Sequence, residues 1–270
     1  DVTFTADNAN LSIASTGAQT VTLSGGTAAS PTDVSASTFT SGASAVTVVS
    51  AGTDASANNQ ITLSGKSVAT VTVTGSEKID VAANTSTAVA TADFSALTAE
   101  EYSFSASAST AAITFTPGAG KVTALTTGKG ADTITLTADA DTVTSTGDGA
   151  DTITAGAGND TITATGAGAD TITLGDGDDT VTDSGAGADI ITGGAGNDTV
   201  TAGADADSVD GGAGNDNLTG GAGADTLIGG DGNDTLTGGA DADSITGGAG
   251  NDIISDGAGN DVVTGGDGDD

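Results

Sequence analysis

The sequence predicts an all-β protein. Over residues 127–270 it predicts a right-handed parallel β-solenoid with two strands per coil of about 18–19 residues. Over residues 1–126 it predicts a less regular β-rich region. Three observations carry this. A glycine-rich acidic nonapeptide returns at near-fixed spacing, one slot of every copy is aliphatic, and the charge is concentrated in the part that repeats.

The first region is rich in Ser, Thr and Ala, with short alternating runs: TVTLS (20–24), AVTVV (45–49), QITLS (60–64), ATVTVTG (69–75) and AAITFT (111–116). Apolar residues alternating with β-branched polar ones mark strands. The segment STAVATADFSALTAEEY (86–102) reads equally as helix or strand. The spacing of the runs is irregular, which fits a degenerate solenoid or a sandwich. The solenoid is preferred because no Pro- or Ser-rich linker separates this region from the next.

The second region begins near Thr127. Residues 193–201 (GGAGNDTVT), 211–219 (GGAGNDNLT) and 247–255 (GGAGNDIIS) are near copies of one unit. Aligned on its last Asp, the unit recurs at Asp132, Asp141, Asp151, Asp160, Asp170, Asp179, Asp189, Asp198, Asp207, Asp216, Asp225, Asp234, Asp243, Asp252, Asp261 and Asp270. The gaps are nine or ten residues. So short a period specifies a solenoid.

Two residues after each Asp stands Ile, Val or Leu, in fifteen of fifteen units from Ile134 to Val263, mostly between threonines. This is a three-residue strand with one side chain inward. Four residues before the Asp, Gly occupies fifteen of sixteen places, Thr137 being the exception, which predicts a turn with positive φ. Each unit is thus expected to be a six-residue turn and a three-residue strand. One strand cannot close a core, but two units per coil can, with two parallel sheets facing each other. At ~4.8 Å per coil, seven to eight coils span roughly 36 Å.

Composition narrows the chemistry. The chain holds no His, Cys, Met or Trp, and its four basic residues are all Lys. That excludes His-dependent triads and general bases, thiol nucleophiles, His or thiolate zinc sites and disulfides. The net charge is −33, with −6 in residues 1–126 and −27 in residues 127–270. This disfavours nucleic acid and favours cations. No apolar stretch is long enough to span a membrane. The chain begins at Asp1 without Met and ends at Asp270 inside a unit, which reads as a piece of a longer protein.

Units two apart stack on the same edge, Asp132 over Asp151 and Asp151 over Asp170. Bare carboxylates at that spacing repel. Carboxylates with exposed carbonyls form an all-oxygen site for a hard divalent cation, Ca²⁺ before Mg²⁺. Sixteen units give fourteen same-edge pairs, so up to about 14 Ca²⁺, whose +28 would offset the −27. The two edges differ. The residue before the Asp is Ala from Ala131 to Ala242 on one edge, and mostly Asn (Asn159, Asn197, Asn215, Asn233, Asn251) on the other. The three one-residue insertions, near Ser145, Ala164 and Asp183, all fall on the Ala edge. This asymmetry reflects either local fit of the turn or packing of the Ala edge on a neighbouring subunit.

The unit resembles the RTX nonapeptide G-G-x-G-x-D-x-U-x, which binds Ca²⁺. GGAGNDTVT, GGDGNDTLT (229–237) and GGAGNDIIS match it throughout, and the resemblance covers residues 127–270. The chain departs from the pattern where Ala155 and Leu174 replace the first Gly and where Asp139, Asp205 and Asp241 replace the last. The resemblance implies a β-roll with Ca²⁺ held in the turns by the sixteen Asp residues and by backbone carbonyls. The chain looks most like a type I-secreted bacterial surface-layer protein, in being acidic, Thr/Ala/Gly-rich and free of sulfur. That implies a non-enzymatic structural protein at the cell surface, folding and assembling with Ca²⁺ into a homo-oligomer or two-dimensional lattice. A cell-surface glycan is a candidate partner through a part not in this chain. The alternatives are the stalk or secretion module of an RTX adhesin, or the carrier domain of a secreted protease or lipase.

Overall fold

The computed structural model describes residues 2–4, 19–24, 45–51, 58–63, 68–76, 78–83, 86–145, 147–164, 166–183 and 185–270. Among these, every regular element is a β-strand and every strand pair with a described register is parallel. The chain forms two compact units, Asp1–Thr137 and Ala138–Asp270.

In the second unit, strands Thr152–Ala157, Thr171–Asp176, Ile190–Ala195, Ser208–Ala213, Thr226–Asp231, Ser244–Ala249 and Val262–Asp267 lie side by side in one sheet. Strands Thr142–Ser145, Thr161–Ala164, Thr180–Asp183, Thr199–Ala204, Asn217–Ala222, Thr235–Ala240 and Ile253–Ala258 form the other. The chain alternates between the sheets, so two repeats make one coil. Identical slots pair across coils: Ile172 with Ile191, Val200 with Leu218, Gly175 with Gly194. The aliphatic slot from Val143 to Ile245 is at most 1% exposed, which makes it the core. Val263 in the last coil is 44% exposed.

The strands are longer than their composition predicts. In the nine-residue repeats of the second unit they run six residues, as in IITGGA and NLTGGA, because the glycines continue the parallel ladder. The turn proper is the remaining three residues. Glycine carries no strand propensity of its own, so only the stacked neighbour reveals that this segment is extended.

The first unit is also a parallel solenoid, which overturns the sandwich alternative. One sheet runs Val2–Phe4, Gln19–Ser24, Ala45–Ala51, Thr70–Gly75, Thr91–Leu97, Thr114–Thr116 and Thr133–Thr135. The other runs Asn58–Thr62, Lys78–Ala82, Glu101–Ser105 and Lys121–Thr127. The alternating runs of the sequence each contribute to one of these strands, AAITFT only by its last three residues, and Ser64 of QITLS lies outside the described residues. The ambiguous segment 86–102 holds no helix but the strand Thr91–Leu97 and the start of Glu101–Ser105, with Ala92, Phe94 and Leu97 buried. Thr91 pairs with Thr114, 23 residues on, whereas Thr114 pairs with Thr133, 19 residues on. Unequal coil lengths hide the period from the sequence. Phe94, Tyr102, Phe104 and Phe115 fill the core, with ring centroids 5.2–5.6 Å from Phe94 to the other three. Buried hydroxyls tie its turns: Ser86 donates to the Val68 carbonyl at 2.9 Å and Ser109 to that of Val89 at 2.8 Å.

Candidate metal centre

The repeat Asp enters its turn immediately before a strand, so its own main chain is fixed by the ladder. The N–H of the next residue donates to the Asp carbonyl one coil back, as in Asn217 to Asp198 at 2.8 Å. The side chain then folds inward. From Asp132 to Asp252, all fourteen ladder aspartates are 1–4% exposed, while Asp261 and Asp270 lie at the more open end of the last coil. An ionised carboxylate so placed is costly unless bonded.

Half of each carboxylate is satisfied by its neighbour coil. From Asp141 to Asp252 the N–H of the ladder Asp donates to Oδ1 of the Asp one coil onward: Asp151 to Asp170, Asp160 to Asp179, Asp198 to Asp216, Asp216 to Asp234, Asp234 to Asp252, at 2.7–2.9 Å. The spacing is 19 residues as far as Asp179 to Asp198 and 18 from Asp189 to Asp207 onward. In the first unit Ile113 donates to Asp132 in the same way, at 2.7 Å.

In eight of them the other half is not satisfied. Oδ2 of Asp179, Asp198, Asp207, Asp216, Asp225, Asp234, Asp243 and Asp252 is buried without a hydrogen-bond partner. Where the first glycine of the pair is present, it makes room for this oxygen. A Cβ at Gly211 would stand 2.5 Å from Oδ2 of Asp216.

The second glycine meets a different constraint. Gly194 has φ +120° and Gly230 +114°, and a Cβ there would run into the carbonyl oxygen of Gly175 or Gly212 in the preceding coil. The expected positive φ therefore holds through most of the roll. It fails at Gly128, whose φ is not left-handed. At Asp205 and Asp241, which replace the last Gly, the backbone is left-handed with φ 76° and 78°.

Burial sets the electrostatics. It pushes the carboxyls of Asp170, Asp198 and Asp207 up to about 6. The main-chain N–H bond pulls the other way, and neighbouring carboxylates add to the rise. Asp179, Asp216, Asp225 and Asp234 are raised for the same leading reason. A cation beside these seven carboxylates would favour their ionised form.

Sequence reasoning missed a second ladder on the outer side of the Asn edge. Asn215 N–H donates to Oδ1 of Asn197 at 2.8 Å, Asn233 to Asn215 at 2.7 Å, and Asn251 to Asn233 at 2.8 Å. Asp178 stands in the same rail and accepts from Asn197. This rail points backward along the chain, whereas the buried Asp ladder points forward. Ala has no side-chain acceptor, so the Ala edge cannot build it. The signal was present in the Asn column. The finding supports local fit of the turn as a source of the asymmetry between the edges.

Compared with known families, the chain matches the family model for the RTX calcium-binding nonapeptide repeat (four copies) over residues 124–146, 145–181, 183–218, 210–245, 219–254 and 237–270. The chain belongs to this RTX family. No curated protein and no solved structure matches it. The RTX repeats are calcium-binding, and the residues present fit that ion. They supply anionic oxygen, an orphaned buried carboxylate atom in turn after turn, and no nitrogen or sulfur ligand. Among the described residues no three acidic side chains converge on one point. A cation here would therefore complete its shell with main-chain carbonyls, as a hard, oxygen-seeking ion does.

Proposed function

We propose that this RTX chain is a non-catalytic structural element that folds and assembles with Ca²⁺ outside the bacterial cell, as part of a surface layer. The observation that carries the calcium step is the column of buried, unpartnered Oδ2 atoms at Asp179, Asp198, Asp207, Asp216, Asp225, Asp234, Asp243 and Asp252. These residues, with carbonyls of adjacent turns, are the proposed ligands. Bound Ca²⁺ supplies the charge that lets neighbouring carboxylates stay ionised while buried.

The rest follows from this chain's own residues. Without a cation the −27 of residues 127–270 opposes the compact state. Extracellular modules bind Ca²⁺ at about 10⁻⁴–10⁻³ M, so folding waits for export. Binding energy then becomes folding energy, in place of the disulfides that a chain without Cys cannot form. Among the described residues no helix is long and apolar enough to cross a membrane. The surface-layer reading is supported by the composition and by a second solenoid unit ahead of the repeats. An adhesin stalk or an enzyme's carrier domain would share the calcium step and differ in assembly.

The test is a Ca²⁺ titration of the metal-free chain, followed by far-UV circular dichroism and then negative-stain electron microscopy. Folding followed by ordered two-dimensional sheets is the expected result. Folding into monomers or isolated rods would move the reading to a stalk or carrier. No change at millimolar Ca²⁺ would remove the calcium step from all three.

A further inference from the structure

Two nine-residue turns of the second unit depart from the repeat at one place. Asp205 and Asp241 stand where the repeat has its last Gly, in the turns closed by Asp207 and Asp243, both on the Ala edge. Their backbone keeps the left-handed form, with φ 76° and 78°, and they are the only non-glycine residues with positive φ among those described. Asp139 replaces the same Gly but is not left-handed. An L side chain is strained in this region, although Asp enters it more readily than most. Glycine would adopt this backbone without strain, which points to a use for the carboxylate.

The main-chain ladder is interrupted at the same two residues. Where Gly holds this slot, its N–H donates to a carbonyl one coil onward: Gly196 to Ala213 at 2.8 Å, Gly214 to Asp231 at 2.8 Å, Gly223 to Ala240 at 3.3 Å and Gly232 to Ala249 at 2.7 Å. Among the described residues, neither Asp205 nor Asp241 makes the corresponding bond, to Ala222 or to Ala258. Two carbonyl oxygens are thereby left out of that bond. The side chains of Asp205 and Asp241 are exposed, each two residues before a buried ladder carboxylate. On this edge Oδ2 of Asp207, Asp225 and Asp243 is buried without a hydrogen-bond partner. Burial leads the rise of the Asp207 and Asp225 carboxyls, Asp205 adds to the first, and Asp241 adds to the second from one coil onward. The exposed carboxylates therefore stand within electrostatic reach of the unsatisfied oxygens.

We propose that Asp205 and Asp241 are additional calcium ligands, meeting the ion from the solvent side directly or across one water, and that their two turns hold Ca²⁺ more tightly than the turns with Gly in this slot. The inference rests on the calcium reading of the roll. Each of these turns adds an anionic oxygen to the buried Oδ2, and ligand charge sets the affinity of an all-oxygen site. Backbone strain and added ion affinity oppose each other, so the device shows in affinity and not in stability at saturating Ca²⁺.

To test it, the full chain is folded in Ca²⁺ and dialysed against buffers of falling free Ca²⁺, and the retained ions are counted by elemental analysis. Two ions per chain, one for each of these turns, are expected to remain at free Ca²⁺ several-fold below the level that empties the rest. Asp205→Gly with Asp241→Gly restores the repeat and is expected to abolish this tight class. Asp205→Asn with Asp241→Asn keeps the side-chain size, removes the charge and is expected to do the same. Asp210→Asn with Asp231→Asn removes equal charge from exposed positions elsewhere in the unit and is expected to leave the tight class intact. Release of all ions together by the parent, or a tight class that survives in the Gly or the Asn pair, would overturn the inference and leave the calcium reading standing. Loss of the tight class from the Asp210 and Asp231 pair as well would reduce the effect to net charge and overturn it equally. A parent that binds no Ca²⁺ would overturn both readings. If the Gly or the Asn pair fails to fold, the other decides.

Discussion

The main-chain N–H of Asp198 donates to Oδ1 of Asp216, one coil onward, at 2.8 Å. One carboxylate therefore has two tasks. Oδ1 closes the backbone of the preceding turn, and Oδ2, buried and unpartnered, waits for a cation. Two substitutions separate them. Asp216→Asn keeps an acceptor oxygen for Asp198 and removes the charge. It is expected to make the metal-free roll more stable and to raise the Ca²⁺ needed for saturation. Asp216→Ala removes both, leaves a buried N–H unsatisfied, and is expected to cost about 1–3 kcal/mol even without Ca²⁺. Urea melts with and without Ca²⁺ measure both effects. If Asn and Ala behaved alike under both conditions, the division of labour between the two oxygens would be wrong.

Much of this site is legible in the sequence, because slot identity survives as spacing. The inward aliphatic from Val143 to Ile245 and the turn Asp from Asp141 to Asp252 stand where the repeat predicts. What was not legible depends on the neighbouring coil. Asp216 does not reveal that it bonds backward to Asp198, since the partner is an N–H that every residue carries. The strand character of Gly220–Gly221 comes from pairing alone. In the first unit, unequal coil lengths erase the period, so Thr91–Leu97 could not be told from a helix.

The metal-free roll should be more stable in mild acid than at neutral pH. Burial raises Asp170, Asp198 and Asp207 from 3.8 to about 6. Between those values the folded chain binds more protons than the unfolded chain. Stability therefore falls as pH rises through this window, the reverse of a salt-bridged carboxylate. Ca²⁺ competes with those protons, so its folding midpoint should move to higher concentration as pH falls below about 6. Urea melts at pH 5 and pH 7.5, in buffer freed of divalent ions, check the first statement. Greater metal-free stability at pH 7.5 would show that these carboxylates are not desolvated as described.

Gly230→Ala should damage the roll with or without Ca²⁺. The native φ of +114° is outside the range of L side chains, and the added Cβ would meet the carbonyl oxygen of Gly212. Positive φ alone costs about 1–2 kcal/mol, and the clash adds to it. The contrast is Asp241→Gly, where a side chain already sits at φ 78°. Relief of that strain should hold stability level or raise it by up to about 1 kcal/mol. Thermal midpoints at saturating Ca²⁺ compare the two, and a harmless Gly230→Ala would contradict the close stacking of these turns.

Tyr102 gives the first unit a private signal, since it is the chain's one tyrosine and there is no tryptophan. Its ring stacks on Phe94 at 5.2 Å between centroids, and its hydroxyl accepts the Gly118 N–H at 2.7 Å. The turns around it are closed by Ser86 and Ser109 hydroxyls rather than by a carboxylate column. No ion is needed to neutralise them. Tyr102 emission should therefore stay constant through a Ca²⁺ titration in which far-UV circular dichroism changes. Phe94→Ala opens a cavity against Tyr102, Phe104 and Phe115. It should cost about 3–5 kcal/mol, as large-to-small changes in cores do, and it should shift the Tyr102 unfolding curve at every Ca²⁺ concentration. Emission that instead followed the calcium transition would tie the first unit's core to the metal, and the serine-closed turns would not be self-sufficient.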